Sequence, residues 1–337
     1  MNITICGGGN LGHVTAGFLA ARAGTDVSVL TRRPEQWNRV LTILEPSGNE
    51  LHGSLSTVSS KPEEVIPEAD IVIFCLPAFA IKDELNKIKA CLRQNTIVGS
   101  VVSNGGFFFD AMAFLPETNP LFGFQRVPFI SRIIEYGKSA ELKGYKPSLS
   151  VAVEHSENKS EIAAMLSTLF EVPVKLLKSY YEVSLSNSNP LLHPARLYTM
   201  WKDYRSMVVY ESNPLFYEEW DDAASSLLIE MDDEFERLLT LLPVEKGSIP
   251  GILEYYESVD AESLTRKITS IEAFKGIKAP MVQYGNGWIP DFSSRYFTED
   301  ILYGMRFIVE TAEKQKFALP VISKVYKWGL NCINSTF

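Results

Sequence analysis

Hydrophobic and polar positions follow two periods in the first half of the chain and one in the second. Residues 2–6 form a short apolar run that ends in three consecutive glycines. Leu11, Val14, Phe18 and Leu19 then recur at helical spacing through residues 11–23, closed by Gly24. Residues 26–30 read as a second strand. Residues 69–76 are continuously apolar, as expected of a strand buried on both faces, and residues 95–103 make another. Strands at 149–153 and 172–177 flank a helix over 159–170. This alternation predicts parallel strands with crossover helices, an open α/β sheet of the Rossmann type. Beyond residue 179 the period becomes helical. Segments at 194–209, 218–242, 251–256, 261–274 and 298–314, and one after Pro320, predict an all-α domain nearly without strands. The expected domains are residues 1–178 and 179–337.

Composition narrows the class. The chain has 337 residues, 46% hydrophobic and 22% charged, which suits a globular protein of two domains. It carries 41 acidic and 32 basic side chains, net −9. That balance argues against a nucleic-acid partner, which needs Lys and Arg on phosphates. The deficit is local: residues 218–262 hold 14 acidic and 2 basic side chains. A solvated helix face is the preferred account, and a field drawing in a cationic amino substrate is the other. The longest apolar run, residues 71–81, is broken by Pro77 and is too short for a bilayer. Four cysteines without ligand spacing predict no metal site and a reducing compartment. With a strand starting almost at residue 1, no leader is expected, and the expected location is cytoplasmic.

Gly7, Gly9 and Gly12 fit G-x-G-x-x-G between a strand and a helix, the context that makes the motif informative. Gly7 permits a tight turn, Gly9 lets backbone approach a pyrophosphate, and Gly12 lets helix pack on strand. Free N–H groups around Asn10 and Leu11 then face the phosphates. At the end of the second strand stand Thr31, Arg32 and Arg33, with no carboxylate before Glu35. A guanidinium suits a ribose 2′-phosphate, so NADP is expected ahead of NAD, with NAD admissible. Pro77 should form a wall beside the cofactor. His13 is expected near the cofactor mouth without a chemical role.

One further histidine stands out. His193 lies in Asn187-Ser188-Asn189-Pro190-Leu191-Leu192-His193-Pro194, a stiff polar segment near the domain junction. His exchanges a proton near neutral pH, which reduction of C=O or C=N needs. On spacing alone a structural histidine is the simpler account. The second cluster is Ser294-Arg295-Tyr296-Phe297-Thr298-Glu299-Asp300-Ile301. Thr298 reads as a helix N-cap with Glu299 and Asp300 in the first turn. Arg295 could bind a carboxylate, and Asp300 could hold the imidazole of His193 in one tautomer.

These two segments, with residues 273–281 upstream, resemble the opine dehydrogenases, the octopine/nopaline group. The resemblance covers most of the chain and implies a Rossmann domain followed by a helical dehydrogenase domain. It implies His193 as acid/base, Asp300 as its carboxylate partner, and Arg295 on the carboxylate of a 2-oxo acid. Asn189 joins Arg295 as a substrate-binding candidate. The implied reaction condenses a 2-oxo acid, such as pyruvate, with the amino group of an amino acid and reduces the imine with NAD(P)H. Small-molecule partners follow, with no nucleic acid and no membrane, and a homodimer as the assembly to test. The competing reading is an NADP-dependent 2-oxo acid reductase resembling ketopantoate reductases, with Lys202 standing in for their lysine. A nicotinamide-binding module without catalysis is the third.

Overall fold

The computed structural model describes residues 1–103, 106–206 and 208–334. Met207, in the segment expected as a helix, and the last three residues of the expected second domain lie outside them. The chain divides into two compact units, Met1–Ser186 and Asn187–Phe337.

The first unit is built on β1 (Asn2–Cys6), β2 (Asp26–Leu30), β3 (Val40–Leu44), β4 (Glu50–Ser59), β5 (Ile71–Phe74), β6 (Ile97–Ser100), β7 (Leu121–Phe124), β8 (Phe129–Glu135), β9 (Ser139–Tyr145), β10 (Leu149–Glu154) and β11 (Val174–Leu176). They form one sheet in the order β11-β10-β7-β6-β5-β1-β2-β4-β3-β9-β8. Among the described residues, six α-helices accompany it: α1 (Asn10–Ala20), α2 (Pro62–Val65), α3 (Ala78–Ile88), α4 (Phe107–Phe114), α5 (Lys159–Phe170) and α6 (Tyr181–Ser184). Ile3 and Ile5 of β1 pack with Val14 and Phe18 of α1 and Leu166 of α5 on one face. Cys6 and Val72 pack with Leu85, Phe107 and Val183 on the other. Both faces are therefore covered, which is why β5 reads as an unbroken apolar run.

The sheet is mixed: the expected parallel pairing holds through its middle and for β10 with β11 and β3 with β9, but not throughout. β1 pairs parallel with β2 and β5, and β5 with β6. β7 runs antiparallel to β10, β3 to β4, and β8 to β9. Of the antiparallel strands, β10 matches the strand expected at 149–153, whereas β4, β8 and β9 alternate buried with exposed or half-buried positions and lack a continuous apolar run. β4, for example, buries only Gly53, Leu55 and Ser59 fully.

The second unit carries α7 (Asn189–Trp201), α8 (Asp222–Leu239), α9 (Ile252–Tyr255), α10 (Ala261–Ser270), a π-helix (Tyr296–Met305), α11 (Arg306–Lys314) and α12 (Pro320–Asn334). It is helical but not all-α. β12 (Met281–Tyr284) and β13 (Gly287–Pro290) form a hairpin around Gly285–Asn286, with Gly285 at φ +59°. A two-residue glycine loop between apolar runs is the ordinary hairpin signal, so this departure was legible in the sequence. Thr298 is also corrected. It sits inside the π-helix and donates its hydroxyl to the carbonyl of Ser294 at 3.1 Å; Arg295 holds the N-cap position.

Most of the acidic stretch is exposed, and part of it is employed at helix ends. Asp221 caps α8 by accepting from the N–H of Ala224, and Asp260 caps α10 through Ser263. Glu234 accepts from Val321 and Ile322 at the start of α12, and buried Asp232 accepts from Ile252 at the start of α9. Unpaired N–H groups at helix starts favour carboxylates, which accounts for these four, while the other acidic side chains of residues 218–262 are exposed. Among the described residues, no helix is long and apolar enough to cross a membrane.

Candidate active site

The glycine loop leaves the carboxyl end of β1, the central strand, where the chain order reverses between β2 and β5. Ligands of open α/β sheets bind at such points. Gly7 has φ +124°, and a Cβ there would lie 2.6 Å from the carbonyl oxygen of Cys75. A Cβ on Gly12 would lie 1.9 Å from the carbonyl oxygen of Gly7. Gly9 differs, because a Cβ there would meet nothing within 4 Å. Gly9 is also the N-cap of α1, and no side chain caps that end. Open space before uncapped N–H groups fits a dinucleotide pyrophosphate. The backbone of Asn10 and Leu11 opens α1, while the Asn10 side chain accepts from the N–H of Ile133 at 2.9 Å. Leu11 packs against the core.

Thr31 is buried just after β2, and Arg32 and Arg33 are exposed. Neither arginine makes an ion pair among the described residues. Pro77 is exposed after β5 as the N-cap of α3. His13 is a structural residue. Its Nε2 accepts from the N–H of Gly137 at 2.7 Å, which leaves Nδ1–H to donate to the carbonyl of Gly9 at 2.9 Å. Burial lowers its pKa and so keeps the imidazole neutral.

The second site lies within the helical unit and is assembled by α7 and the π-helix. Pro190 is tolerated in the first turn of α7, where its missing N–H costs nothing. Pro194 lies inside α7 and removes the helical donor to the carbonyl of Pro190. The π-helix meets α7 at this point. A Cβ on Gly304 would lie 2.4 Å from Cγ of the Pro190 ring, so only glycine permits the approach. Near this crossing, His193 and Asp300 face each other. His193 Nδ1 is 2.7 Å from Asp300 Oδ2, and His193 is 8% exposed. A carboxylate accepts only, so Nδ1 carries the proton. Ten residues of π-helix are unusual, and π geometry concentrates at functional sites.

The other imidazole nitrogen meets a residue that the sequence reading passed over. Nε2 is 2.7 Å from the hydroxyl of Tyr217, which is 5% exposed. Tyr217 stacks on Phe274 with centroids 4.1 Å apart. Tyr296 packs edge-on against His193 at 4.5 Å. Buried Arg196, three residues beyond His193 on α7, bonds to Asp221 at 2.7 Å and to the carbonyl of Glu219. It thereby anchors the segment bearing Tyr217 to the helix bearing His193. Burial, then the neighbouring Tyr296, Tyr256 and Asp300, push the Tyr217 hydroxyl well above its usual range. In Phe216-Tyr217-Glu218-Glu219-Trp220 the only sequence signal was an aromatic cluster, which more often means core.

Arg295 is exposed at the start of the π-helix, beside Tyr296 in the chain, and makes no ion pair among the described residues. Asn189 stands four residues before His193, on the same face of α7. Lys202 is exposed at the end of α7. Nine residues of helix place it on the face opposite His193.

A family model for the NAD/NADP octopine/nopaline dehydrogenase α-helical domain matches residues 176–332. One for ketopantoate reductase PanE/ApbA matches residues 3–106. Octopine dehydrogenase of Mizuhopecten yessoensis is 28% identical, over 100% of this chain and 91% of its own length. A solved octopine dehydrogenase with NADH and L-arginine matches with TM-score 0.86 and 27% identity, over 99% of this chain and 90% of its own. Residues 176–332 thus match the octopine/nopaline dehydrogenase helical domain, and the whole chain is similar to octopine dehydrogenases. Tauropine dehydrogenase of Arabella iricolor is similar as well, 28% identical over 97% of this chain and 90% of its own. The chain is a nicotinamide-dependent oxidoreductase of the opine dehydrogenase type.

Proposed function

We propose that the enzyme condenses a 2-oxo acid of the pyruvate class with the amino group of an amino acid and reduces the resulting imine, with NADP as its preferred cofactor. The observation that carries the chemistry is the His193–Asp300 pair at 2.7 Å. Residues 1–178 serve as the cofactor domain and residues 179–337 as the substrate and catalytic domain. When bound, the reduced nicotinamide supplies the hydride. Gly7, Gly9, Asn10, Leu11 and Gly12 hold the pyrophosphate through backbone. Thr31, Arg32 and Arg33 take the adenosine ribose and its 2′-phosphate, and Pro77 walls the cofactor. The support for NADP is the two exposed guanidinium groups at the end of β2 with no carboxylate beside them.

His193 is the acid/base. Asp300 fixes its tautomer, with Nδ1 protonated, and stabilises the imidazolium that forms. Arg295 binds the carboxylate of the oxo acid, a role open to an exposed guanidinium without an ion-pair partner. Asn189 contacts substrate from the same face as His193. A cytoplasmic location accords with so few cysteines, four in 337 residues, and a homodimer is the assembly to test. The decisive experiment follows oxidation of NADPH and NADH with 2-oxo acids, each alone and with a panel of amino acids. Turnover is expected only when both substrates are present. Turnover with the oxo acid alone would establish the simple reductase instead.

A further inference from the structure

Both ring nitrogens of His193 are engaged within its own domain. Nδ1 donates to Asp300, and the hydrogen-bonding position of Nε2 is taken by the Tyr217 hydroxyl, each at 2.7 Å. Tyr296 packs edge-on against His193 at 4.5 Å and is an electrostatic neighbour of Tyr217. Asp300, His193 and Tyr217 thus stand in a hydrogen-bonded line, with Tyr296 beside it. Tyr217 is buried, whereas Tyr296 is partly exposed. An acid/base histidine whose Nδ1 serves Asp300 must exchange its proton through Nε2, and Nε2 meets a tyrosine.

We propose that Tyr217 is the proton relay of His193, carrying the proton between Nε2 and the partly exposed Tyr296. The inference rests on the functional reading above. Two protonation states fit the same heavy atoms. With neutral imidazole, Tyr217 O–H donates to Nε2. With imidazolium, Nε2–H donates to Tyr217. Conversion breaks the Tyr217 O–H bond as the N–H bond forms at Nε2. Tyr217 regains a proton from Tyr296, and Tyr296 from water or a substrate ammonium group. Between His193 and Tyr217 no heavy atom need move.

Reductive condensation requires such a supply. A 2-oxo acid, an ammonium-form amino acid, reduced nicotinamide and one proton give a secondary ammonium product, oxidised nicotinamide and water. One proton is therefore taken up per turnover. The surroundings keep the relay neutral and fixed. Burial raises the pKa of both tyrosines, and Asp300 adds to the effect on each. The other titratable neighbours are Tyr256 towards Tyr217, and Arg295 and Glu299 on the π-helix side. Phe274 clamps the Tyr217 ring, and Arg196 fixes its segment. A tyrosine serving only as an aromatic wall would need no hydroxyl on Nε2.

The test is Tyr217→Phe, which keeps the ring and removes the hydroxyl. Loss of the relay should lower kcat by about tenfold or more while KM for each substrate stays within about threefold, the split expected when only proton transfer suffers. Tyr296→Phe should lower kcat less. In ¹⁵N NMR the Nε2 resonance of His193 should move in Tyr217→Phe, a readout independent of turnover. A kcat within about twofold of the unsubstituted enzyme, or an unmoved Nε2 resonance, would overturn the relay and leave the functional reading intact. Should the unsubstituted enzyme turn over no pair of substrates, the functional reading fails. The Nε2 resonance then decides alone whether Tyr217 shares a proton with His193.

Discussion

The glycine loop after β1 and the cluster around His193 solve the problem of holding a reactive group by opposite means. In the loop, function resides in backbone. Gly7 and Gly12 are small so that chain can touch chain, and Gly9 is small so that a ligand can enter. All the residues involved lie within six positions of one another. The His193 cluster depends on side chains from α7, the segment before α8, and the π-helix, spread over more than a hundred residues. Its precision comes from packing: the Pro190–Gly304 contact, the Arg196 anchor and the stack of Phe274 on Tyr217. A local motif is robust to changes elsewhere in the chain. A site made by packing inherits every error in the helices that make it.

This contrast can be broken most directly at the acid/base. His193→Ala should lower kcat by about 10²-fold or more, the scale of lost acid/base catalysis, with NADPH affinity unchanged by calorimetry. A matching loss of NADPH binding would mean the substitution had disrupted more than the chemistry. Gly304→Ala is the next test. The added methyl must push the π-helix off Pro190, and a misplacement near 1 Å can cost on the order of 10²-fold. A loss of roughly ten- to a hundredfold in kcat is expected, again with cofactor binding unaffected. Full activity would show that the contact does not set the His193–Asp300 distance.

The double substitution Arg32→Ala with Arg33→Ala addresses the other region. Weakening of NADPH by about tenfold, or ~1.4 kcal/mol, is expected with NADH little changed, since only the 2′-phosphate loses partners. Equal weakening of both cofactors would refute the NADP preference. The smallest effect concerns Asp232, whose burial raises its carboxyl to about 7. The folded state then keeps a proton that the unfolded chain has lost, so stability falls as pH rises from near 4 through 7. Thermal melts should show Tm declining over that range, and Asp232→Asn should flatten the decline while still accepting from Ile252. Parallel curves for the two proteins would assign the decline to other groups.

Legibility followed the range of the interactions. α5 at Lys159–Phe170, β1 and β2 could be read residue by residue, because their periods were uninterrupted. The antiparallel strands β3, β4, β8 and β9 could not, since each gains its apolar partners from elsewhere in the sheet. The β12–β13 hairpin carried its Gly285–Asn286 signal and was passed over amid helical periods. Asp300 was recognised, but for a helix beginning at Thr298; the π-helix starts at Tyr296, and no local pattern marks π over α geometry.

By itself the sequence determined the two-part organisation, a glycine loop in the context of strand and helix, and the residue types able to move a proton and bind a carboxylate. These follow from local periodicity, steric allowance and intrinsic chemistry, which each short segment carries with it. Tertiary structure decided which histidine meets which carboxylate. His13 and His193 are both buried in helices, yet one bonds to backbone at both nitrogens and the other to Asp300 and Tyr217. Hydrogen bonds act over about 3 Å, and only packing of distant helices brings groups that close. Tyr217 therefore stayed hidden in an aromatic run until α7 and the π-helix were seen together.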